Sequence, residues 1–202
     1  MKNNNPKGII LILIGMFIVS FMDATFKYIY TSVNLYDAYF VRTLISFGVI
    51  ASYLKITNKP IIFTTHYPLL TSIRVILFFF GFSSFYISLT IMPLATATAL
   101  FFASPFLMTI FAIFFLKEEV GIRRWSAVII GFIGVYIILN PDFNDFDYLS
   151  LTPVLCAVCY SLSMIIIKKT SDKDDVYSQM FHFYIFAITI SLIIYFFIGD
   201  GQ

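Results

Sequence analysis

Four charged side chains lie well inside the long apolar runs of this sequence and are its strongest candidates for chemistry. Asp23 and Lys27 lie near the end of the first run, Arg42 in the second and Arg74 in the third. In a bilayer, each charge near the centre costs at least about 2.5 to 3.5 kcal/mol on insertion scales, and such residues usually mark a pathway or pair with one another. Asp23, Lys27 and Arg42 are therefore the predicted residues for polar recognition or coupling.

The spacing of these charges suggests which of them meet. If the first two runs form an antiparallel hairpin, Asp23 and Arg42 share one level, about 10 Å below the outer surface at 1.5 Å per residue. Lys27 follows Asp23 at i+4, on the same helix face. A structural ion pair and a polar patch at the mouth of a cavity both fit. Arg74 is expected to snorkel towards lipid phosphate, with a place in the cavity as the alternative.

The fourth apolar run combines small residues with a proline in its middle. Alanines recur at every fourth position from Ala95 to Ala103, which allows close helix packing. Pro105 removes a backbone donor and predicts a kink. Nearby hydroxyl groups belong to Thr96, Thr98 and Ser104. We predict a flexible, cavity-lining helix in which these hydroxyls contact the solute and Pro105 takes part in gating, with plain packing as the alternative.

The composition of the whole chain explains why lipid must surround these residues. Of 202 residues, 60% are apolar and 12% are charged, against about 45 to 50% and about 25% in soluble domains. A water-soluble fold is excluded. The net charge of +2 gives no reason to expect nucleic acid, and two Cys with two His predict no metal site, cofactor or enzyme activity. Cys156 and Cys159 are predicted to be small packing residues.

Apolar runs of about 20 residues, the length that spans a bilayer, occur seven times. They cover residues 8–30, 36–54, 70–91, 94–116, 125–140, 149–167 and 177–198. The prediction is an all-α, polytopic transmembrane helix bundle of about seven spans. A cytoplasmic N-terminus places ten Lys and Arg residues in cytoplasmic segments and none in the opposite loops, which is the positive-inside pattern.

The stretch 93–141 resembles the EamA family of the drug/metabolite transporter superfamily. It has a Pro-Leu entry at Pro93, the mid-span Pro105, a Leu-x-Glu that ends at Glu118, an Arg-Arg-Trp that ends at Trp125, and a Gly-x-x-Gly-Val segment. The stretch from Asp23 to Arg42 is similar to a subgroup that contains riboflavin, S-adenosylmethionine and amino-acid-related transporters. The resemblance implies secondary transport of a small organic solute across the inner or plasma membrane, by alternating access and without ATP hydrolysis.

The family usually has ten spans, arranged as two inverted repeats of five. By this resemblance, residues 1–140 form one complete repeat, and residues 141–202 form the first two spans of a second. A shift of 141 residues aligns Ser20 with Ser161 and Lys27 with Lys168. Five intervening spans invert the second copy, as alternating access requires. The alternative is a truncated, non-transporting membrane fragment, or a half-transporter that needs a second copy or a complementary chain with the remaining spans.

Overall fold

A computed structural model describes residues 5–29, 35–58, 65–139 and 148–198 of the chain. Within these ranges the chain forms helices and short connections, without a strand. The helices are α1 (Asn5–Ile29), α2 (Leu35–Ile56), α3 (Pro68–Ile91), α4 (Leu94–Phe101), α5 (Ser104–Leu116), α6 (Ile122–Leu139), α7 (Thr152–Thr170) and α8 (Val176–Ile198), with a 3₁₀ turn at Tyr148–Leu151. The predicted all-α bundle is confirmed.

Helices α4 and α5 are two halves of one predicted run. The chain between them tightens, because the Phe102 and Ala103 amides donate to carbonyls only three residues back, each at 3.1 Å. Pro105 follows in the first turn of α5 and has no N–H with which to continue the ladder of α4. The apolar run is therefore interrupted near its middle.

Among the described residues, four stretches are long and apolar enough to cross a membrane. They are Gly8–Thr25, Pro68–Ile91, Leu94–Leu116 and Thr152–Thr170, and a shorter apolar stretch, Gln179–Ile193, lies in α8. The total of seven spans and the cytoplasmic N-terminus stay predictions.

The seam between α3 and α7 is the centre of the bundle. A Cβ atom added to Gly81 would lie 2.9 Å from the Cβ of Cys159, so a larger residue would push the two helices apart. The Ser84 hydroxyl donates to the Thr152 carbonyl across the same seam at 2.7 Å. Both cysteines are buried and unbridged, which confirms the packing role that was predicted for Cys156 and Cys159.

Helices α1 and α2 lie outside this seam. Helix α1 contacts α4 and exposes large apolar side chains such as Phe17 (76%) and Phe21 (71%), an arrangement suited to lipid. Helix α2 packs along α8, where the Phe47 and Phe181 ring centroids are 5.3 Å apart. The extensive partner of α2 is therefore α8, a helix more than 100 residues away in sequence.

Candidate solute-binding cavity

A cavity of about 340 Å³ lies between α2, α3, α7 and α8. Its lining residues are Arg42, Thr43 and Ser46 from α2, Arg74, Phe78 and Phe82 from α3, Met164 and Ile167 from α7, and Met180, Phe183 and Tyr184 from α8. The cavity is thus apolar and aromatic with a few polar groups, as ligand sites usually are.

Arg74 is the buried charge of this cavity, with only 4% of the residue exposed. Its Nη2 donates to the Gln179 carbonyl at 2.5 Å, while its Nε has no hydrogen-bond partner among the described residues. The expectation that Arg74 snorkels to lipid is wrong. It fails because α3 is a central helix, whose first half faces α7 and α8 instead of the bilayer.

Arg42 lies towards the other end of the cavity. Its Nη1 donates to the Tyr86 hydroxyl, and its guanidinium carbon lies 5.1 Å from the Tyr86 ring centroid. Tyr86 follows Arg74 by twelve residues on α3, about 18 Å along the helix axis at 1.5 Å per residue. The two arginines therefore approach the cavity from opposite ends.

Aromatic rings form the wall between the two arginines. The Phe78 and Phe82 rings stack with centroids 5.3 Å apart, and Phe78 also meets Phe183 at 5.4 Å. Phe183 in turn contacts Tyr184 at 5.4 Å. Such a wall suits a flat or aliphatic solute group, since aromatic side chains provide large apolar contact areas.

Of the charged residues predicted from sequence, Arg42 lines the cavity, and its charge acts on the Asp23 carboxylate. Lys27 binds elsewhere. Its Nζ donates to the Met92 carbonyl at 2.7 Å and to the Leu89 carbonyl at 3.4 Å, at the end of α3, where unpaired carbonyls attract cations. The pairing of Asp23 with Arg42 at one depth stays a prediction, whereas the Lys27 ammonium binds backbone carbonyls near the end of α3.

The predicted residues of α4 and α5 lie outside the lining of this cavity. The Thr98 hydroxyl donates to the Leu94 carbonyl of its own helix at 2.8 Å. The Ser104 carbonyl accepts from the Ser161 hydroxyl of α7 at 2.9 Å. Thr96 is half-buried and Pro105 is exposed. These four residues lie on helices that pack against α6 and α7, away from α2 and α8.

A second polar cluster, here called the Asp174 clasp, joins residues 65–67 to residues 172–174. The Asp174 side chain, 1% exposed, accepts from the His66 amide at 2.9 Å and from the Thr65 hydroxyl, and lies 3.0 Å from His66 Nδ1. The Tyr67 hydroxyl donates to Asp172 at 3.1 Å. The clasp ties the segment before α3 to the turn between α7 and α8.

Hydrogen bonding keeps the Asp174 carboxyl group of the clasp deprotonated. Burial by itself raises the pKa of Asp174, but the hydrogen bonds from the His66 amide, the Thr65 hydroxyl and the His66 ring outweigh that effect and hold the pKa below its ordinary value of 3.8. Asp174 is therefore charged at neutral pH. The sequence gives no local sign of this site, because the donors lie more than 100 residues away.

The Leu-x-Glu motif forms a third, exposed cluster. Glu118 binds Lys168 at the end of α7 and lies 3.7 Å from Arg124 at the start of α6. The hydrogen bond from Lys168 lowers the pKa of Glu118 from its ordinary value. These contacts join the ends of three helices on one side of the bundle.

Comparison with known proteins agrees with the family resemblance described from the sequence. The model of the EamA-like transporter family matches residues 6–140. An S-adenosylmethionine uptake transporter of Rickettsia prowazekii is 32% identical over 185 residues, which cover 92% of this chain and 63% of that protein. Its counterpart in Rickettsia felis is 33% identical over 89% of this chain and 62% of its own length.

A riboflavin transporter of Rhizobium johnstonii is 38% identical over 104 residues, covering 52% of this chain and 34% of that protein. No solved structure matches the chain. The chain thus spans somewhat less than two thirds of the length of the S-adenosylmethionine transporters that it matches.

These relatives are transporters and not enzymes, in agreement with the absence of enzyme activity predicted from the sequence. The apolar helices and the family together identify a multi-pass protein of the cell membrane. With two thirds of its residues matched by the family model, the chain belongs to the EamA-like transporter family.

Proposed function

We propose that this chain carries the solute-binding cavity of a secondary transporter for a small organic metabolite. The observation that supports the proposal is the cavity between α2, α3, α7 and α8, with a buried arginine at one end and stacked aromatic rings along its wall. Buried charges within membrane helices are costly and are usually kept for solute pathways. The volume of about 340 Å³ lies within the usual range for small-molecule sites.

The contacts around the cavity suggest how access alternates. Arg42 and Tyr86 meet towards one end, and the Asp174 clasp joins the segments that lead into α3 and α8. In the proposed cycle these two sets of contacts open in turn, with the helix break before Pro105 as a hinge. Two inverted repeats, residues 1–140 and the beginning of a second at 141–202, would supply the symmetry that such a cycle needs.

S-adenosylmethionine is the first candidate solute, because relatives named for its uptake align with about nine tenths of the chain. Riboflavin is the second candidate, because a relative named for its transport aligns with half of the chain. Both molecules carry a flat ring system, which the stacked Phe78 and Phe82 rings can accommodate. Coupling is proposed to involve Asp23, whose carboxylate interacts with the charge of Arg42.

Uptake of the two labelled candidates by cells that produce residues 1–202 tests the proposal. We expect saturable accumulation of one candidate, inhibited by the same unlabelled compound and lost in Arg74→Gln. The matched control is Arg123→Gln, because Arg123 is exposed at the start of α6. Absence of saturable uptake of both candidates, with the protein present in the membrane, would contradict the proposed function.

The coupling role of Asp23 has a separate test. Asp23→Asn should abolish accumulation against a gradient while the protein still inserts, and Asp175→Asn, at an exposed position before α8, should not. Unchanged accumulation in Asp23→Asn would exclude coupling through this carboxylate.

A further inference from the structure

We infer that Arg74 binds a carboxylate of the transported solute, so that the Arg74 end of the cavity selects for carboxylate-bearing metabolites. This inference rests on the proposed function, since it assigns a chemical class to the solute of the same cavity. It depends on three observations about the described residues: the incomplete hydrogen bonding of Arg74, the absence of acidic residues from the lining, and the position of the aromatic wall.

The first observation is an unused donor. A guanidinium has five N–H groups in a planar fork, and in Arg74 the Nη2 contact to the Gln179 carbonyl leaves the buried Nε without a partner. A buried donor without a partner has lost its hydrogen bonds to water without gaining a replacement, which is costly. A carboxylate restores the balance best, because its two oxygens match the guanidinium fork and its charge is opposite.

The second observation is the charge of the cavity. Its lining contains Arg42 and Arg74 but no Asp or Glu. The carboxylate whose charge acts on Arg74 is that of Asp174, and this group is already hydrogen-bonded to Thr65 and His66 within the clasp. The charge of Arg74 is therefore not neutralised by any carboxylate of the cavity lining, and the carboxylate of a bound solute would neutralise it.

The third observation orients the solute. Phe78 and Phe82 follow Arg74 at i+4 and i+8 on α3, so the three side chains form one stripe along the cavity. A solute with its carboxylate on Arg74 would place its remaining part against the two stacked rings. The stripe thus fits an amphiphilic molecule with a carboxylate at one end and a flat or apolar group at the other.

Two pairs of compounds isolate the carboxylate. S-adenosylmethionine and its decarboxylated analogue differ only in that group, and so do phenylalanine and phenethylamine. Binding of each compound is measured with the purified 202-residue chain in lipid nanodiscs, and uptake is measured in cells. In the unchanged protein we expect the carboxylated member of at least one pair to bind about 10- to 100-fold more tightly, as for a hydrogen-bonded ion pair.

Arg74→Gln should remove this preference: the affinity for the carboxylated compound should fall, and the affinity for its decarboxylated partner should stay unchanged. Arg74→Lys keeps the charge without the planar guanidinium and should retain part of the preference. This variant tests the inference even if Arg74→Gln fails to fold. Arg123→Gln should retain all of it.

Equal binding within both pairs, or equal losses for both members in Arg74→Gln, would overturn the inference. If saturable uptake of riboflavin is found without any carboxylate preference, the proposed function stands and only the inference fails. If the protein binds and transports no compound of the panel, the proposed function and the inference both fail.

Discussion

The two faces of α3 differ in packing and in the state of their polar groups. The face towards α7 carries small residues, Gly81 and Ser84, and its polar group is hydrogen-bonded across a close seam. The neighbouring face, which borders the cavity between α2, α7 and α8, carries Arg74, Phe78 and Phe82. The comparison teaches that one helix can hold the bundle together with one face and keep the other face incompletely packed for a ligand.

Two buried charged residues, Asp174 in the turn before α8 and Arg74 in α3, differ in the same way in how fully they are hydrogen-bonded. Asp174 accepts hydrogen bonds from two neighbouring residues of the segment before α3, whereas Arg74 keeps an unpartnered Nε. Buried polar groups are normally satisfied. We therefore assign stability to the clasp and solute binding to Arg74, and the predictions below test that division.

The largest stability loss is expected for Asp174→Ala. The substitution removes a carboxylate that binds the His66 amide and the Thr65 hydroxyl, and hydrogen bonds to charged groups contribute about 1.5 to 3 kcal/mol each. Because such terms are not additive, we expect a loss of about 3 kcal/mol in the free energy of unfolding in detergent. The control is Asp172→Ala, since Asp172 is exposed and accepts from the Tyr67 hydroxyl alone among the described residues; equal losses would refute the special role of Asp174.

A somewhat smaller loss is expected for Gly81→Ala. The added methyl group would meet the Cβ of Cys159 at 2.9 Å, an atom fixed to the backbone, so α3 and α7 must separate. Overpacking of this kind costs about 1 to 3 kcal/mol. Gly131→Ala in α6 is the matched control, because its added Cβ would meet nothing within 4 Å, and it should leave the melting temperature unchanged or raise it. Similar melting temperatures for both variants would show that the seam is not tightly packed.

A still smaller change in stability should appear when the pH is lowered, and its direction follows from the pKa of Asp174. The pKa of Asp174 is lowered in the folded protein from its ordinary 3.8. The stabilisation that comes from its charge is therefore complete above the unfolded value, about 3.9, and disappears as the pH falls through the lower folded value. The melting-temperature difference between the unchanged protein and Asp174→Asn should stay constant from about pH 7 to 5 and narrow below about pH 4. Narrowing already at pH 6 would implicate another group.

Much of the helical framework follows from the sequence, because length and apolarity determine a membrane helix. The run at 70–91 became α3 at Pro68–Ile91, and the run at 94–116 is broken just before Pro105, the residue that cannot donate. Depth also follows, since it depends on residue count along each helix. The charge of Arg42 acts on the Asp23 carboxylate, and the pairing of the two side chains at one depth stays a prediction.

The faces of the helices do not follow from the sequence in the same way. Lipid and protein interior are both apolar, so Phe78 and Phe82 have the same residue type as the lipid-facing Phe17 and Phe21 of α1. Residue count gives depth but not rotation about the helix axis. It therefore does not show that Lys27 binds near the end of α3 or that Arg74 points into the bundle. The sequence marks Arg74 as an isolated charge in an apolar run, but it does not indicate that α8 packs beside it.

The smallest stability effect is expected for Arg74→Met, and it separates the two faces of α3 most directly. Replacing an incompletely satisfied buried charge by an apolar residue of similar length is often neutral or stabilising. The Gln179 carbonyl that Arg74 contacts lies in the first turn of α8 and can still accept from the helix. We expect a change in the free energy of unfolding within about 0.5 kcal/mol of zero, together with the loss of solute binding. A melting-temperature loss as large as that of Gly81→Ala would instead make Arg74 part of the structural framework, and the two faces of α3 would then share one role.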